Sequence, residues 1–232
     1  MSIEPMRATV VSRVSLSPSM IRVVLGGGEL QHFESSSVPD EFIWLSFTKP
    51  DGTMSGRYYT VRQWNKDARH LTVDFVKHES GIGTEWAQQA SVGDSIEIYL
   101  PRSRFDPPAQ GSILLVGDYS ALPAIARIVE ELPLGRTLIA HVEIPEVADR
   151  IDLGMRENIA IHWHETFGKG DKRTRLSEIA RMATLPDQLG YVWIAGEAKV
   201  VAECRRHFRN TCGIAKESIT AVGYWVEGQA RG

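Results

Sequence analysis

Short runs in which apolar and polar positions alternate fill the first part of the chain. Met6–Val14, Met20–Leu25, Phe42–Phe47, Arg57–Trp64, Leu71–His78 and Ser95–Leu100 each read as a strand. Ser17-Pro18, Gly26-Gly27-Gly28, Asp51-Gly52 and Gly93-Asp94 punctuate them with turn chemistry. Strands at this spacing predict a six-stranded antiparallel barrel. One short helix interrupts them over Glu85–Ala90, with Thr84 placed as its N-cap.

The pattern changes after Pro101–Gly111, a segment holding Pro101, Pro107, Pro108 and Gly111 that reads as a linker. Strands then alternate with helices. Ser112–Gly117, Thr137–Ile144, Ile159–Glu165, Tyr191–Ala195 and Ser218–Trp225 are the strands. Pro123–Leu132, Leu176–Met182 and Lys199–Asn210 are the helices, the first opened by proline and striped by Ile125, Ile128, Val129 and Leu132. Alternation of this kind predicts a small doubly wound parallel α/β sheet. The expected organisation is a barrel domain over 1–106 and an α/β domain over 111–232.

Four segments carry candidate chemistry. In Arg57-Tyr58-Tyr59-Thr60-Val61-Arg62 two arginines sit close to the barrel core, where an unpaired cation is costly. A pyrophosphate would match their guanidinium groups, and Tyr59 offers a flat face and a hydroxyl to a ring system. A surface strand with solvated arginines fits this segment equally well. The segment His78 to Trp86 opens a helix from a glycine turn, where free amides favour a phosphate. It also reads as a plain strand-to-helix turn, with Trp86 a core anchor. Gly117-Asp118-Tyr119-Ser120-Ala121-Leu122-Pro123 joins a buried strand to a helix, the setting of a dinucleotide phosphate turn, although it lacks the GxGxxG pattern. Asp118 suits an anion there only as a cap of the turn. Trp193-Ile194-Ala195-Gly196-Glu197 ends a later strand, with Glu197 either a helix-start carboxylate or a polar group lining a nicotinamide pocket.

The order of these segments resembles the siderophore-interacting proteins, a branch of the ferredoxin–NADP reductase superfamily. Arg57, Tyr59, Thr60 and Arg62 match the family's Arg-x-Tyr-Thr-x-Arg strand, and His78, Gly81, Thr84, Trp86 and Ala87 resemble the His, glycine turn and Trp-Ala that follow. Gly117-Asp118 with Ala121 to Ile125, then Ala195-Gly196-Glu197, then Gly223-Tyr224-Trp225 with Gly228, resemble its later motifs, with Ser120 in place of Thr. Val226 departs from the arginine often found after Tyr-Trp. The resemblance implies a flavoprotein that passes electrons from NADPH or NADH through FAD to a ferric siderophore, releasing ferrous iron. A ferredoxin is an alternative donor. The implied FAD contacts are Arg57, Tyr58, Tyr59, Thr60, Arg62, Phe75, Val76, His78, Ile82, Gly83, Thr84 and Trp86, with Tyr59 against the flavin and Thr60 near its redox-active edge. The implied NAD(P)H contacts are Asp118, Ser120, Ala121, Gly196 and Glu197. Basic candidates for an anionic siderophore are Lys66, Arg102, Arg104, Lys172 and Arg173.

Composition adds little to this picture. The 232 residues are 43% hydrophobic and 24% charged with a net charge of −3, which gives no general signal for nucleic acid or anionic membrane. The expectation is a cytoplasmic monomer with no membrane insertion and no protein-bound metal. Cys204 and Cys212 read as reduced thiols, and His162 and His164 as packed or solvent-facing residues on one strand face. Two other readings stay open: a general flavin or ferredoxin-type reductase, and a siderophore-binding protein without catalysis.

Overall fold

The computed structural model describes residues 4–49, 51–77, 81–154, 156–166 and 174–228. They form two compact units, one ending at Ser103 and the other beginning at Arg104.

The first unit is a seven-stranded antiparallel sheet in the order β4-β3-β7-β1-β2-β6-β5. Its strands are β1 Met6–Ser17, β2 Met20–Gly26, β3 Phe42–Thr48, β4 Met54–Thr60, β5 Gln63–Asn65, β6 His70–Val76 and β7 Ser95–Arg102. Inward positions, among them Ala8, Val10, Val23, Leu25, Ile43, Leu45, Leu71, Val73 and Ile98, fill one core. The seventh strand arises because the run Arg57–Trp64 divides: β4 lies at one end of the order and β5 at the other, yet only Val61 and Arg62 join them. The Val61 amide bonds the Glu41 carbonyl beside β3, and the next amide, of Arg62, bonds the Thr72 carbonyl on β6. Two residues can span the two ends only if the sheet is curled, so the chain itself joins them where no strand ladder does.

Helix α1 covers Ile82–Gln89, starting earlier than the glutamate-led helix read from the sequence. Its N-cap is Gly81, at φ 153°, and not Thr84. Thr84 instead lies in the first turn, where its buried hydroxyl donates to the Val76 carbonyl at 2.9 Å. The Glu85 carboxylate reaches back to accept from the Gly81 amide at 3.2 Å.

The second unit is a parallel five-stranded sheet in the order β10-β9-β8-β11-β12. Its strands are β8 Ser112–Gly117, β9 Leu138–Ile144, β10 Ile159–Glu165, β11 Leu189–Glu197 and β12 Ile219–Trp225, and its helices are α2 Leu122–Glu131, α3 Leu176–Met182 and α4 Ala198–Asn210. Every residue of β8 is buried, as expected of a central strand covered on both faces. Leu114, Val116, Val192 and Ile194 pack against Leu176, Ala180, Val201, Cys204 and Phe208 of α3 and α4. Successive strands run outward from β8 in both directions, so the order reverses between β8 and β11.

Candidate functional site

In the first unit the register places Arg57 opposite Leu45 and Tyr59 opposite Ile43, both fully buried, so Arg57 and Tyr59 share the inner face of edge strand β4. Tyr59 packs against Phe75 at 4.4 Å between ring centroids and edge-on against Phe47 at 6.1 Å. Burial pushes its hydroxyl well above the ordinary range and keeps it protonated. A Cβ at Gly83 would stand 1.8 Å from that hydroxyl oxygen, so only glycine lets the start of α1 approach the ring. Tyr58 faces the other way, 55% exposed, and meets Phe42 and Trp44 edge-on at 5.4 and 4.8 Å. Thr60, on the Tyr58 side, is buried opposite Phe42.

The two arginines part company. Arg57 donates to Ser55 Oγ at 3.1 Å and the Gly56 carbonyl at 2.6 Å, both neutral oxygens. Arg62 finds a carboxylate within the protein, with its Nε 3.8 Å from Asp74. Arg22 grips the same Asp74 with two bonds of 2.7 Å. Arg62 thus shares Asp74 with Arg22, whereas Arg57 bonds neutral oxygens. Asp74 was legible as the one charge in the apolar run of β6, Leu71-Thr72-Val73-Asp74-Phe75-Val76.

Phe75 is a core residue at 1% exposure, and Trp86 packs on it and on Phe47 at 5.7 Å each. Val76 contributes its carbonyl to Thr84. The first-turn amides after Gly81 belong to Ile82 and Gly83. His78 lies outside the described residues, as do Lys172 and Arg173. Lys66, Arg102 and Arg104 are exposed.

In the second unit the turn after β8 and the ends of β11 and β12 meet on one carboxylate. Asp118, 5% exposed, caps the turn by accepting from the Ser120 amide at 2.9 Å and the Ser120 hydroxyl at 2.5 Å. Its other oxygen accepts from the Glu197 amide at 2.9 Å and from Trp225 Nε1 at 2.8 Å. Burial raises its pKa, and the four donors pull the other way. Glu197 is a helix-start carboxylate, accepting from Val200 at the head of α4 at 2.9 Å and from the Glu227 amide at 3.3 Å. Gly196 sits at φ 151° with its Cα facing Asp118, and Ala121 is fully buried. Trp225 as the fourth donor was not legible, since nothing local in Tyr224-Trp225 marks a partner more than a hundred positions earlier.

Along β9 and β10, His141 joins the two histidines singled out in the sequence. Its Nδ1 is 3.0 Å from His164 Nε2, and its ring lies 4.8 Å from that of His162. Burial, then the neighbouring histidines, lower its pKa to about 4. Glu143, two residues on, accepts from the Thr174 hydroxyl and from the Arg175 amide at 2.8 Å, and burial raises its pKa. Among the described residues no group of three or more His, Cys, Asp or Glu side chains is arranged to hold a metal ion. Cys204 and Cys212 are free, and burial pushes Cys204 up to about 12. No helix among the described residues is long and apolar enough to cross a membrane.

A curled antiparallel sheet followed by a doubly wound parallel sheet is a two-domain fold found in ferredoxin–NADP+ reductases. The fold is shared with the ferredoxin–NADP+ reductase of Neisseria gonorrhoeae, solved with FAD and NADP bound, at a TM-score of 0.76 and 14% identity over 95% of this chain and 99% of that one. Sequence places it more narrowly. Residues 52–105 match the family described as siderophore-interacting FAD-binding domain, and residues 110–228 match the siderophore-interacting protein family. The ferric vibriobactin reductase of Vibrio cholerae is 31% identical over 82% of this chain and 69% of its own length. The ferric acinetobactin reductase of Acinetobacter baumannii is 29% identical over 97% of this chain and 79% of its own length. A siderophore utilization protein from T. fusca superposes with a TM-score of 0.88 at 28% identity, over 99% of this chain and 95% of that one. The chain belongs to the siderophore-interacting protein family.

Proposed function

We propose that the protein is an FAD-dependent ferric-siderophore reductase that takes electrons from NAD(P)H and releases ferrous iron. The observation that carries this reading is the inner face of β4. Arg57, bonded there to neutral oxygens among the described residues, shares a face with Tyr59, whose ring meets the glycine-led start of α1. A cation, an aromatic face and first-turn amides are the donor set a flavin dinucleotide needs. The FAD-binding description of the family matched by residues 52–105, and the names of the vibriobactin and acinetobactin reductases, point the same way.

In this reading Arg57 neutralises the pyrophosphate, and the amides of Ile82 and Gly83 bind its oxygens. Tyr59 packs against the isoalloxazine, with Thr60 near the ring's reactive edge and the remaining contacts drawn from Tyr58, Val76 and His78. Thr84, Phe75 and Trp86 hold this frame from within, as their burial and contacts suggest. When bound, the flavin accepts a hydride and can pass electrons on singly, which is what reduction of Fe(III) requires. The unit ending at Ser103 serves FAD and the unit from Arg104 serves the nicotinamide. Ser120 borders the dinucleotide, the buried Ala121 and Gly196 shape the turns beneath it, and Lys66, Arg102, Arg104, Lys172 and Arg173 attract an anionic siderophore. The protein works as a soluble cytoplasmic monomer, with a ferredoxin as a second candidate donor.

An absorption spectrum tests the reading. Flavin bands should bleach on anaerobic addition of NADPH or NADH and return on addition of a ferric siderophore. A colourless protein that cannot take up added FAD would rule it out. A narrower check is Arg57→Ala, which should weaken FAD retention at least about tenfold, the loss of a charge-assisted contact, with the circular dichroism spectrum intact. Unchanged FAD affinity would remove the pyrophosphate role of Arg57.

A further inference from the structure

The sequence suggested that Asp118 touches the dinucleotide, and the geometry argues for a different role. In open α/β sheets a ligand binds outside the carboxyl ends of the strands, where the strand order reverses. Here that point lies between β8 and β11. Asp118 directly follows β8, and Gly196-Glu197 end β11. Trp225 ends β12, the next strand. One buried carboxylate binds all three strand ends together.

An ionised carboxylate accepts about four hydrogen bonds. Asp118 receives four: two on Oδ1 from the Ser120 amide and hydroxyl, and two on Oδ2 from the Glu197 amide and the Trp225 indole. No acceptor site is left for a ligand, and only 5% of the residue is exposed. A negative charge in contact with a phosphate or ribose phosphate would in any case repel it. The surroundings are shaped to admit the carboxylate. A Cβ at Gly196 would lie 2.4 Å from Oδ2, so glycine leaves the room that Asp118 fills. The indole of Trp225 has a single donor, and it is spent on Asp118. The half-buried Trp225 ring is therefore held at the sheet's ligand-binding edge in one orientation.

We propose that Asp118 is a positioning residue for the dinucleotide step: it fixes the Trp225 indole and the Gly196–Glu197 turn as one preformed wall of the NAD(P)H crevice, without touching the nucleotide. This rests on the reductase reading given above. It separates the two half-reactions. Loosening the wall weakens capture of NAD(P)H, while electron transfer from reduced flavin to iron does not use that wall.

The test uses FAD-loaded protein and two variants, Asp118→Asn and Trp225→Phe. Flavin reduction is followed anaerobically by stopped flow over a range of NADPH and NADH concentrations. Reoxidation is followed separately, by mixing dithionite-reduced protein with a ferric tris-catecholate complex. Asp118→Asn should raise the half-saturating nucleotide concentration about tenfold, and Trp225→Phe, which keeps an aromatic face but loses the indole N–H bond and part of the ring area, about threefold. Reoxidation rates should stay within about twofold of wild type. Should Asp118→Asn not fold, Trp225→Phe carries the test alone. Unchanged half-saturation in the folded variants overturns the inference. So does an equal slowing of both half-reactions with a fallen melting temperature, which marks a purely structural role. If neither nucleotide reduces the wild-type flavin, the reductase reading falls and this inference falls with it.

Discussion

Asp74 and Asp118, one in each unit, are buried carboxylates held in opposite ways. In the antiparallel sheet Asp74 is matched by full charges, Arg22 at 2.7 Å and Arg62 at 3.8 Å. In the parallel sheet Asp118 and Glu143 accept hydrogen bonds from amides, hydroxyls and an indole. Dipoles compensate a buried charge less completely than a cation does, and burial accordingly raises the pKa of both Asp118 and Glu143. The difference suits the partners proposed for each unit. A site that binds a pyrophosphate through Arg57 gains from nearby cations, provided an internal carboxylate keeps the others in place. A crevice for a dinucleotide gains from rigid strand ends, which neutral donors supply without an attached counter-ion.

The largest expected effect comes from breaking the charge-matched case. Asp74→Asn keeps the shape and removes the carboxylate that Arg22 and Arg62 share. Removing one partner of a buried ion pair costs about 3–5 kcal/mol. Arg22 is partly exposed, so the lower end of that range is expected. Urea unfolding followed by a probe in the first unit measures it. A loss below about 1 kcal/mol would mean that Asp74 is not what balances the two arginines.

The dipole-matched case breaks more gently. Gly196→Ala puts a methyl group 2.4 Å from Asp118 Oδ2, at a φ of 151° that side chains rarely adopt. The carboxylate must move, and its bonds to Glu197 and Trp225 weaken. A cost of about 2–4 kcal/mol follows from strain plus lost hydrogen bonds. Thermal unfolding should show it, together with a red-shifted, more solvent-exposed tryptophan emission. If the variant matches wild type in both, the close approach of Gly196 to Asp118 is not what shapes the turn.

Much of this was legible in the sequence, and the limits have physical causes. The parallel half was read nearly to the residue, because the central strand β8 is a fully buried, mostly apolar run and helix α2 carries a 3.6-residue apolar stripe. Ser112–Gly117, Ile159–Glu165 and Leu176–Met182 fall where the pattern put them. The Arg57–Trp64 run was read as one strand because nothing in its alternation marks the point where the chain leaves β3 for β6. That change is made by two amides, of Val61 and Arg62, choosing partners on different strands. Thr84 was assigned as a cap from residue type alone. Gly81, with no Cβ to oppose a φ of 153°, could start the helix earlier, and the threonine hydroxyl then served the neighbouring strand. For Asp118 the cap was foreseen and the three-strand junction was not, since hydrogen bonds between distant strand ends leave no periodic trace.

The smallest expected effect lies in the histidine cluster, where neither cation nor carboxylate balances the side chain. His141 has a pKa lowered to about 4, from burial first and then from His162 and His164. A depressed histidine pKa means that the unfolded chain takes up a proton first as pH falls. The stability His141 contributes is complete above its ordinary value of 6.5 and is lost as pH falls from there towards about 4. Asp118 and Glu143, with raised pKa values, act in the opposite direction over the lower part of this range, because the folded state holds their protons longer. A pH scan of the wild type alone therefore mixes opposed slopes. Comparison with His141→Gln removes one of them and leaves the carboxylates in place. Stability measured by urea unfolding at pH 7, 6 and 5 should fall more steeply in the wild type than in the variant. The excess slope should not exceed ~1.4 kcal/mol per pH unit, the limit for a single proton, and it should be smaller because His162 is exposed and water screens its charge. Parallel curves would show that His141 is as easily protonated in the fold as in the unfolded chain, and that its Nε2, which has no hydrogen-bond partner among the described residues, is open to water.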